Sequence, residues 1–485
     1  MRVNSNTVRD PRRWWSLVVL CLALMPLVVD STVLNVAIPT LMQDLGASPS
    51  EIQWILDSYV LVFAGLLLTA GSLSDRYGRR RFLVIGLALF GGASLVAVLA
   101  VEPWQLIAAR GLMGVGGAIL MPSTLSILIT TFDDDERRKA MAAWSAVAMI
   151  GVIAGPIVGG LLIEHYWWGS VFLLNVPIAV VGIIAALVLM PETKGPARSL
   201  DPLGVVLSIV GLVSLVYVVI ERTWNPVMIA VAVLALGGFL MWERRSASPM
   251  LPLGLFRSRN FSGSSFSILL MSFGSGAVML MLTQYLQFVL GYGAAQAGLA
   301  LLPYAVSAAI FNGVGAALGQ KASNKTLIVA GMLIMGVSFV VMAMSTGYWS
   351  LFVAFLVMGA GGGIAGPAAY ATLMGAVPME HAGVGSALND TIQQVGMALS
   401  IAALGSVLAG VYTSAMPSTA PEAAQESIAN AVLLGPEVAA AGREAFSTAM
   451  ATGSWIGAVS CVAAACLAMA VLRSKAPTAP VPAEV

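Results

Sequence analysis

The chain has 485 residues, of which 59% are hydrophobic and only 10% are charged. Soluble domains carry about 25% charged residues, so this composition excludes a water-soluble protein of this length and makes lipid the expected solvent. The formal net charge of +1 gives no reason to expect a nucleic-acid partner, and the positions of the charges are more informative than their sum.

The first predicted membrane helix follows a short basic segment. Arg9, Arg12 and Arg13 lie shortly before Trp14, and apolar residues then continue to about residue 38. The hydrophobic region of a cleavable signal peptide has only about 7–15 residues. We therefore interpret this run as a membrane helix that is retained in the mature protein.

Fourteen segments meet the length of about 20 mostly apolar residues that a membrane-spanning helix needs. In chain order, the predicted spans are about 14–38, 52–73, 81–101, 104–128, 140–163, 170–190, 203–220, 226–242, 262–285, 297–319, 326–345, 350–373, 384–411 and 447–472. The second span has a marked start, because Ser48 and Glu51 form the pattern of a capping box and Pro49 fits the first helical position.

The basic residues alternate from one side of the predicted membrane to the other. Of the 24 Lys and Arg, 21 lie on the side of the N-terminus, and only Arg222 and Arg443 lie on the opposite side. The remaining one, Arg110, lies inside the fourth span. Because cytoplasmic loops carry an excess of Lys and Arg, we expect both termini to be cytoplasmic and the number of spans to be even.

An internal repeat becomes visible when 245 is added to a residue number. The segment Met113–Gly117 then matches Met358–Gly362, and the register continues without a gap from about residue 46 to 160. Other matched pairs are Gly46 with Gly291, Tyr59 with Tyr304, Pro122 with Pro367, and Gly151 with Gly396. The fourth and fifth spans therefore correspond to the twelfth and thirteenth.

The repeat predicts an all-α integral membrane fold of two six-helix halves with the same orientation. The first half is expected at residues 1–190 and the second at 262–485, with an inserted pair of helices and its flanking loops at 191–261. The long segment 412–446 is predicted to connect the last two spans on the extracellular side. It contains apolar residues around 428–434, and either a short amphipathic helix or an unstructured linker fits it.

Three carboxylates and one arginine are predicted to lie well inside spans: Asp30, Asp57, Asp390 and Arg110. Hydrocarbon penalises charged side chains, so these residues are functional candidates, although each carboxylate could also be a wet, structural hydrogen-bonding group. Arg110 should have a partner or a wet cavity. Its repeat mate is Phe355, so the scaffold itself does not require the charge.

The loop between the second and third spans has the sequence GSLSDRYGRRR over residues 71–81. A glycine at position 71 permits close helix approach, and one at 78 permits a tight turn. The acid at 75 can pair with cations or with a helix N-terminus across the seam between the halves. The candidate residues of this loop are Gly71, Asp75, Arg76, Gly78, Arg79 and Arg80.

The fifth span carries small residues at a spacing of four. Gly151, Gly155 and Gly159 form a stripe that allows close helix packing, followed directly by Gly160. Pro156 removes a backbone donor and bends the helix. A generic small-residue interface is the alternative interpretation of this pattern.

These segments resemble motifs of the major facilitator superfamily, and in particular of its fourteen-span drug:proton antiporters, which include pumps for quaternary ammonium compounds, dyes and antibiotics. Beside the loop 71–81 and the fifth span, the matching segments are 28–39 (VVDSTVLNVAIP), 54–59 (WILDSY), 106–114 (LIAARGLMG), 168–177 (WGSVFLLNVP) and 386–391 (SALNDT). The resemblance covers essentially the whole chain. In the fourth span, Met113 stands where the motif usually has glutamine, so that polar contact should be missing.

The resemblance departs from the family pattern in the second half. Gln393 and Gln394 stand where many relatives carry charge, and the tenth span lacks the acid found in some pumps for divalent cations. Divalent substrates are therefore not expected.

The resemblance implies a proton-coupled antiporter of the bacterial plasma membrane that exports lipophilic or cationic drugs or antibiotics by alternating access. Asp30, Asp57, Arg110 and Asp390 are the expected proton-coupling and substrate residues. The loop 71–81 is the expected cytoplasmic latch, which breaks on inward opening, and the glycines of the fifth span form the expected antiporter motif. We expect a deprotonated Asp30 to hold the substrate and its protonation from outside to release it.

No phosphate loop, zinc-ligand spacing or catalytic triad pattern is recognisable, so neither an enzyme, nor a metal site, nor a cofactor beyond the coupling proton is expected. The expected partners are small lipophilic or cationic substrates, protons and the lipid bilayer, and the chain is expected to be a monomer. Two alternatives remain. A proton-coupled uptake symporter of the same fold is disfavoured by the fifth-span motif, and a non-transporting sensor or channel by the latch loop and the buried acids.

Overall fold

Helices make up the membrane-spanning body of the protein. The structure, a computed structural model, describes residues 13–132, 134–194, 201–223, 225–246, 249, 251, 253–319, 321–377 and 382–472. Within these ranges there are no strands, and fourteen segments are helical, long and apolar enough to cross a bilayer. The basic segment before Arg13 and the C-terminal residues from 473 onwards lie outside the described residues.

The helices follow the predicted order of spans. They are α1 (Arg13–Asp44), α2 (Pro49–Tyr77), α3 (Arg79–Val98), α4 (Pro103–Thr131), α5 (Asp134–His165), α6 (Ser170–Leu173), α7 (Asn175–Leu189), α8 (Pro202–Ile220), α9 (Pro226–Arg245), α10 (Arg259–Gln284), α11 (Ala294–Ala300), α12 (Leu302–Leu318), α13 (Asn324–Ala343), α14 (Tyr348–Met374), α15 (Ala382–Ala415), α16 (Glu422–Glu426), α17 (Ile428–Ala431) and α18 (Pro436–Val471). A short 3₁₀ turn (Leu253–Arg257) precedes α10, and a π-helical turn (Tyr285–Val289) extends it.

The largest differences from the predicted spans lie at the end of the chain. Helix α18 begins at Pro436 rather than near 447, because Glu437, Arg443 and Glu444 interrupt its first turns and an apolar-run criterion overlooks them. Before it, the segment expected to be either a helix or a linker contains the two short helices α16 and α17. Tyr412 holds this segment in place by donating a hydrogen bond from its hydroxyl to the carbonyl of Ala424 at 2.8 Å.

The start of α2 confirms the predicted capping box. The backbone N–H of Ser48 donates to Glu51 Oε2 at 2.8 Å, and the N–H of Glu51 donates to Ser48 Oγ at 3.3 Å. The two bonds satisfy backbone donors that the first helical turn leaves free. They fix where α2 enters the bundle.

The packing of the helices repeats at the offset of 245 residues. A Cβ added to Gly114 of α4 would lie 2.6 Å from the carbonyl oxygen of Tyr59, and one added to Gly359 of α14 would lie 2.6 Å from that of Tyr304. Each glycine thus permits the same close helix contact in its own half.

We call α1–α7 the first half and α10–α18 the second half. The division into domains at the stated boundaries remains a prediction.

The two ends of the bundle differ in charge. We call the end that begins with Arg13 and contains Arg79 the basic end, and the opposite end the far end. Among the described residues, the polar contacts that join the two halves lie toward the far end, where Gln287 Nε2 donates to the carbonyl of Val36 at 3.0 Å and Ser406 Oγ lies 3.4 Å from Gln53 Oε1. The halves are therefore in contact at the far end.

A cavity of about 30 Å³ lies at the far end, where α1, α2, α10, α15 and α18 meet under the segment between α15 and α18. Gln53, Gln284 and Leu408 are among its lining residues. This volume holds only a few water molecules, whereas pockets for drug-sized ligands measure about 300–1,000 Å³. This cavity is too small for such ligands, and together with the contact between Gln287 and Val36 it indicates a far end that is closed in this conformation.

The inserted helices α8 and α9 differ in how they are placed. Much of α9 is exposed, with Leu234 at 74%, as expected for a helix whose outer face contacts lipid. Helix α8 packs instead against α2 of the first half and α15 of the second, as well as against α9.

Candidate substrate and proton site

A buried ion pair connects α1 and α4 in the first half. Arg110 Nη1 donates to Asp30 Oδ2 at 2.5 Å, and only 2% of either side chain is exposed. The expectation that Arg110 needs a partner is therefore confirmed. A buried pair of this kind is stable only while both members are present, because removal of one leaves an unpaired charge in a medium of low dielectric constant.

The guanidinium of Arg110 has three further contacts. Its Nε donates to the carbonyl oxygen of Ile55 in α2 at 3.2 Å, and its Cζ lies 4.4 Å from the ring centroid of Tyr59. Its Nη1 also lies 3.9 Å from the sulfur of Met113. Thus Met113, which replaces the glutamine of the family motif, supplies a weak sulfur contact at this position. The arginine is held between α1 and α2 by a carboxylate, a carbonyl and an aromatic face.

Glycines on α4 bring this helix close enough to α2 for these contacts. Besides the Gly114 contact, a Cβ on Gly117 would lie 2.9 Å from the Phe63 ring and 3.0 Å from the Tyr59 hydroxyl. Larger residues at either position would push α2 away from α4. The small residues of α4 therefore bring Tyr59 and the Ile55 carbonyl of α2 within reach of Arg110, which lies one helical turn before Gly114.

Two residues that sequence reasoning did not assign to the site complete the polar group around Asp30. Asn175, at the start of α7, donates from Nδ2 toward Asp30 Oδ1 at 3.5 Å and toward Ser94 Oγ of α3 at 3.3 Å. Both Asn175 and Ser94 are fully buried. The only signal in the sequence was the position of Asn175 within the matched segment 168–177.

The other two candidate acids lie apart from this ion pair. Asp57 is fully buried in α2, and neither of its carboxylate oxygens has a hydrogen-bond partner among the described residues. Asp390 is half-buried in α15, where Asn389 Nδ2 donates to its Oδ1 at 2.9 Å. The structure thus brings Asp30 and Arg110 together, and leaves Asp57 and Asp390 as separate sites.

The residues of the predicted latch contact one another and the rest of the first half. Arg79 Nε donates to Asp75 Oδ1 at 2.8 Å, and its Nη1 donates to Thr130 Oγ1 of α4 at 3.0 Å. Arg76 lies over the ring of Tyr77. Either a cation or a helix N-terminus was expected as the partner of Asp75, and the structure shows the cation, Arg79. A latch across the halves remains a prediction for another conformation.

Glu192, which sequence reasoning did not single out, anchors the same loop. Its carboxylate accepts from the backbone N–H groups of Arg80 and Arg81 at 3.0 and 3.3 Å, at the N-terminus of α3, where a negative charge is favoured. Gly78 makes this approach possible, because its φ is +124° and an added Cβ would lie 2.8 Å from the carboxylate. Gly71 similarly lies against Pro122.

The glycines of α5 pack against both halves. The three glycines of the stripe all face α1, and an added Cβ would crowd Val28 at 2.9 Å from Gly151, Thr32 from Gly155, and Val33 at 3.0 Å from Gly159. A Cβ on Gly160 would instead lie 2.5 Å from the carbonyl of Ala294 in α11, and the Pro156 carbonyl contacts Gly298 of the same helix. The motif therefore joins the helix that carries Asp30 to the second half.

This arrangement can exchange partners at one carboxylate. Asp30 is held by an arginine that cannot lose its proton in a protein, so the pair has no net charge while Asp30 is ionised. A proton or an organic cation that takes the place of Arg110 at the carboxylate must leave the guanidinium with its carbonyl and aromatic contacts. The site therefore has an internal cation that competes with external ones.

Comparison with known proteins gives one consistent result. The sequence matches the Major Facilitator Superfamily over residues 20–401 and 264–483. It is 35% identical to the multidrug efflux pump LfrA of Mycolicibacterium smegmatis, covering 95% of this chain and 96% of LfrA. It is 34% identical to the methyl viologen resistance protein SmvA of Salmonella typhimurium, covering 86% of each.

A solved structure gives an independent comparison of the fold. A bacterial homologue of the human lysosomal transporter Spinster, in an inward-facing and occupied conformation, superimposes with a TM-score of 0.71 at 17% sequence identity. The match covers 98% of this chain and 100% of that one. At this level of identity the similarity concerns the fold alone.

Proposed function

The chain belongs to the Major Facilitator Superfamily, and we propose that it exports lipophilic or cationic drugs or antibiotics in exchange for protons. The observation that carries this proposal is the buried Asp30–Arg110 pair, a carboxylate with a resident cation in a bundle that must otherwise exclude charge. The relatives named as a multidrug efflux pump and as a methyl viologen resistance protein support export of small molecules.

The proposed cycle is a competition for the Asp30 carboxylate. In the conformation described, Arg110 holds it. A cationic substrate entering from the basic end replaces Arg110, and the bundle then opens at the far end. There a proton neutralises Asp30, and the substrate loses its counter-charge and leaves. The protonated site then opens toward the basic end, where Asp30 releases the proton and pairs again with Arg110. Asn175 keeps the carboxylate oriented through both exchanges, since it approaches the oxygen that Arg110 does not use.

Asp57 is proposed to carry a second proton. Burying an ionised carboxylate with no hydrogen-bond partner costs far more free energy than burying the neutral acid. Asp390, nearer the basic end, is proposed to receive or deliver protons on that side. With two protons exchanged per monovalent cation, the cycle moves net charge, so the membrane voltage adds to the driving force.

The orientation in the membrane follows from the charges. We propose that the basic end faces the cytoplasm of a bacterial cell and the far end the outside, because cytoplasmic loops are rich in Lys and Arg. The closed far end and the latch contacts within the first half then correspond to a conformation open toward the cytoplasm. The proton is the only coupling ion proposed, and the functional unit is proposed to be the monomer.

Transport into proteoliposomes tests the function directly. The purified protein is reconstituted, an inward acidic pH step is imposed, and accumulation of ethidium is measured by fluorescence. We expect dye to accumulate against its gradient in the acidic compartment and to leak back when a protonophore collapses the pH difference. The matched control is Ser275→Ala, which alters the position 245 residues after Asp30 and removes only a hydroxyl bonded within its own helix.

Two results would contradict the proposal. Dye movement in the same direction as protons would indicate the uptake symporter, and accumulation that survives the protonophore would exclude proton coupling. Methyl viologen, a dication, is tested in the same assay. The relative SmvA is named for resistance to it, whereas Gln393, Gln394 and a tenth span without an acid favour its exclusion by this chain.

A further inference from the structure

Helix α8 of the inserted pair lies in the seam between the halves. It packs against α2 on one side and α15 on the other. Halfway along the helix, the Ile209 side chain fills the space beside Gly65 of α2, where an added Cβ would collide with it. Toward the far end of the bundle, Val216 and Ile220 of α8 are buried, with 0% and 2% of their surface exposed.

The last turn of α8 is bonded to the first half. The indole N–H of Trp54 in α2 donates to Glu221 Oε1 at 2.9 Å. The rings of Trp54 and Tyr217 lie 6.1 Å apart. Together with the Ile209 contact, these interactions join α8 to α2 over a large part of its length.

The same turn is bonded to the second half by Ser406 of α15. The Ser406 hydroxyl donates to the carbonyl of Val219 at 2.8 Å. This carbonyl belongs to the last turn of α8, where the helix supplies no N–H partner. One turn further along α15, an added Cβ on Gly410 would lie 3.3 Å from Nη1 of Arg222. Arg222 itself has a φ of +52°, unusual for a residue with a side chain.

Ser406 is the point at which three helices meet. Its hydroxyl also lies 3.4 Å from Gln53 Oε1 of α2, and a Cβ on the adjacent Gly405 would lie 2.8 Å from the Gln53 side chain. A hydroxyl donates one hydrogen, and the shorter contact to Val219 takes it. Gln53 and Gly405 also line the small closed cavity at the far end.

We propose that the last turn of α8 and the turn after it, residues 216–222, form a strap that holds the far end closed by binding α2 and α15 at once. The consequence for transport rests on the proposed alternating export function. When the far end opens, α2 and α15 must part, and a rigid helix can follow only one of them. The strap stays with α2, to which it is joined along its length, and releases the Ser406 hydroxyl.

Cysteine accessibility measures the closure independently of transport. Leu408, which lines the far-end cavity and is 5% exposed, is replaced by cysteine in a variant whose native Cys21, Cys461 and Cys466 are changed to serine. The purified protein in detergent is labelled with a water-soluble maleimide. We expect Ser406→Ala to raise the labelling rate roughly fivefold, as follows from the net contribution of one hydrogen bond.

Two matched variants separate the strap from general loosening of α15. Ser406→Thr keeps the hydroxyl and should label as the parent does. Ser414→Ala removes a hydroxyl that bonds only within α15, to the carbonyl of Val411, and should also label as the parent does. On the α2 side, Glu221→Gln keeps the oxygen that accepts from Trp54 and should preserve closure, whereas Glu221→Ala should raise labelling.

Distances between spin labels show which half the strap follows. Labels are placed at Thr223 and Ser414 in one protein and at Thr223 and Asp44 in another, all at exposed far-end positions. Substrate and acidic pH should lengthen the first distance and leave the second unchanged. If the distance from Thr223 to Asp44 lengthens while that from Thr223 to Ser414 stays constant, α8 moves with α15 and the proposal is overturned.

Failure of the strap and failure of the export function are distinguishable. If Ser406→Ala labels at the parental rate and melts at the parental temperature, the strap is wrong even when dye transport is normal. If labelling rises as expected but the parent protein moves no dye, the strap stands and the export function is wrong.

Discussion

The two halves of the bundle share their packing but differ in their chemistry. At equivalent positions, Gly114 and Gly359 make the same backbone contact, and Gly46 and Gly291 both adopt a positive φ, of +65° and +73°. One turn before Gly114, however, the first half buries Arg110, whereas the second half buries Phe355.

The difference separates what the scaffold needs from what transport needs. Small residues recur in both halves because helix approach requires them in both. The charged pair occurs in one half, so it cannot be a requirement of the fold, and the proposed exchange of proton and drug is located there. The residue 245 positions after Asp30 is Ser275, whose hydroxyl bonds within its own helix.

The largest effect is expected from breaking the pair itself. Asp30→Asn should abolish pH-driven dye accumulation and also destabilise the protein by about 3–5 kcal/mol, because Arg110 becomes an unpaired buried charge. The double variant Asp30→Asn with Arg110→Gln should recover the melting temperature but not transport. A double variant that recovers both would show that the pair is structural.

The second prediction concerns Asp57 and the voltage. If Asp57 carries the second proton, a membrane potential of 100 mV contributes about 2.3 kcal/mol per cycle, roughly a 50-fold difference in dye accumulation. Asp57→Asn should remove this dependence on voltage while dye still responds to pH. The measurement compares accumulation at fixed pH difference with and without a valinomycin-imposed potential. An unchanged voltage response in the variant would exclude Asp57 as a carrier.

The third prediction tests the symmetry of the scaffold. Gly114→Ala and Gly359→Ala should each lower stability by about 1–3 kcal/mol, because each added methyl group meets a carbonyl oxygen. The two losses should be similar, as read from thermal unfolding. Gly111→Ala, where nothing lies within 4 Å of an added Cβ, is the control and should not destabilise. A loss confined to one half would show that the packing is not equivalent.

The smallest effect is expected at Asn175. Its amide approaches Asp30 at 3.5 Å, a long hydrogen bond, so Asn175→Ala should reduce transport roughly fivefold. As a positioning residue it should change the pH at which transport is half-maximal, whereas Ser94→Ala should have a weaker effect on that pH. An unaltered pH profile with reduced stability would assign Asn175 to the fold alone.

Much of the fold could be predicted because it depends on local patterns. Span length, the capping box at Ser48 and the repeat of glycines are each visible within a few residues. The start of α18 is not visible as an apolar run, because charged residues interrupt its first turns. The short helices α16 and α17 carry too weak a pattern to be distinguished from a linker.

The site could be predicted only in part because its contacts are distant in sequence. Asp30 and Arg110 were singled out as charges in hydrocarbon, but their pairing depends on how closely α1 and α4 approach. Ser94 and Glu192 carry no unusual feature in the sequence, and Asn175 is marked only by the matched segment 168–177. Their roles follow from long-range contacts. The functions assigned to Asp57 and Asp390 remain predictions.

The most direct measurement is proton release on drug binding by the purified protein in weakly buffered detergent solution. If drug and proton compete for Asp30, adding ethidium near the pH where the site is half protonated should release protons with a saturable dependence on dye. Asp30→Asn should release none. Saturable binding with no proton release in the parent protein, or equal release from Asp30→Asn, would contradict the account.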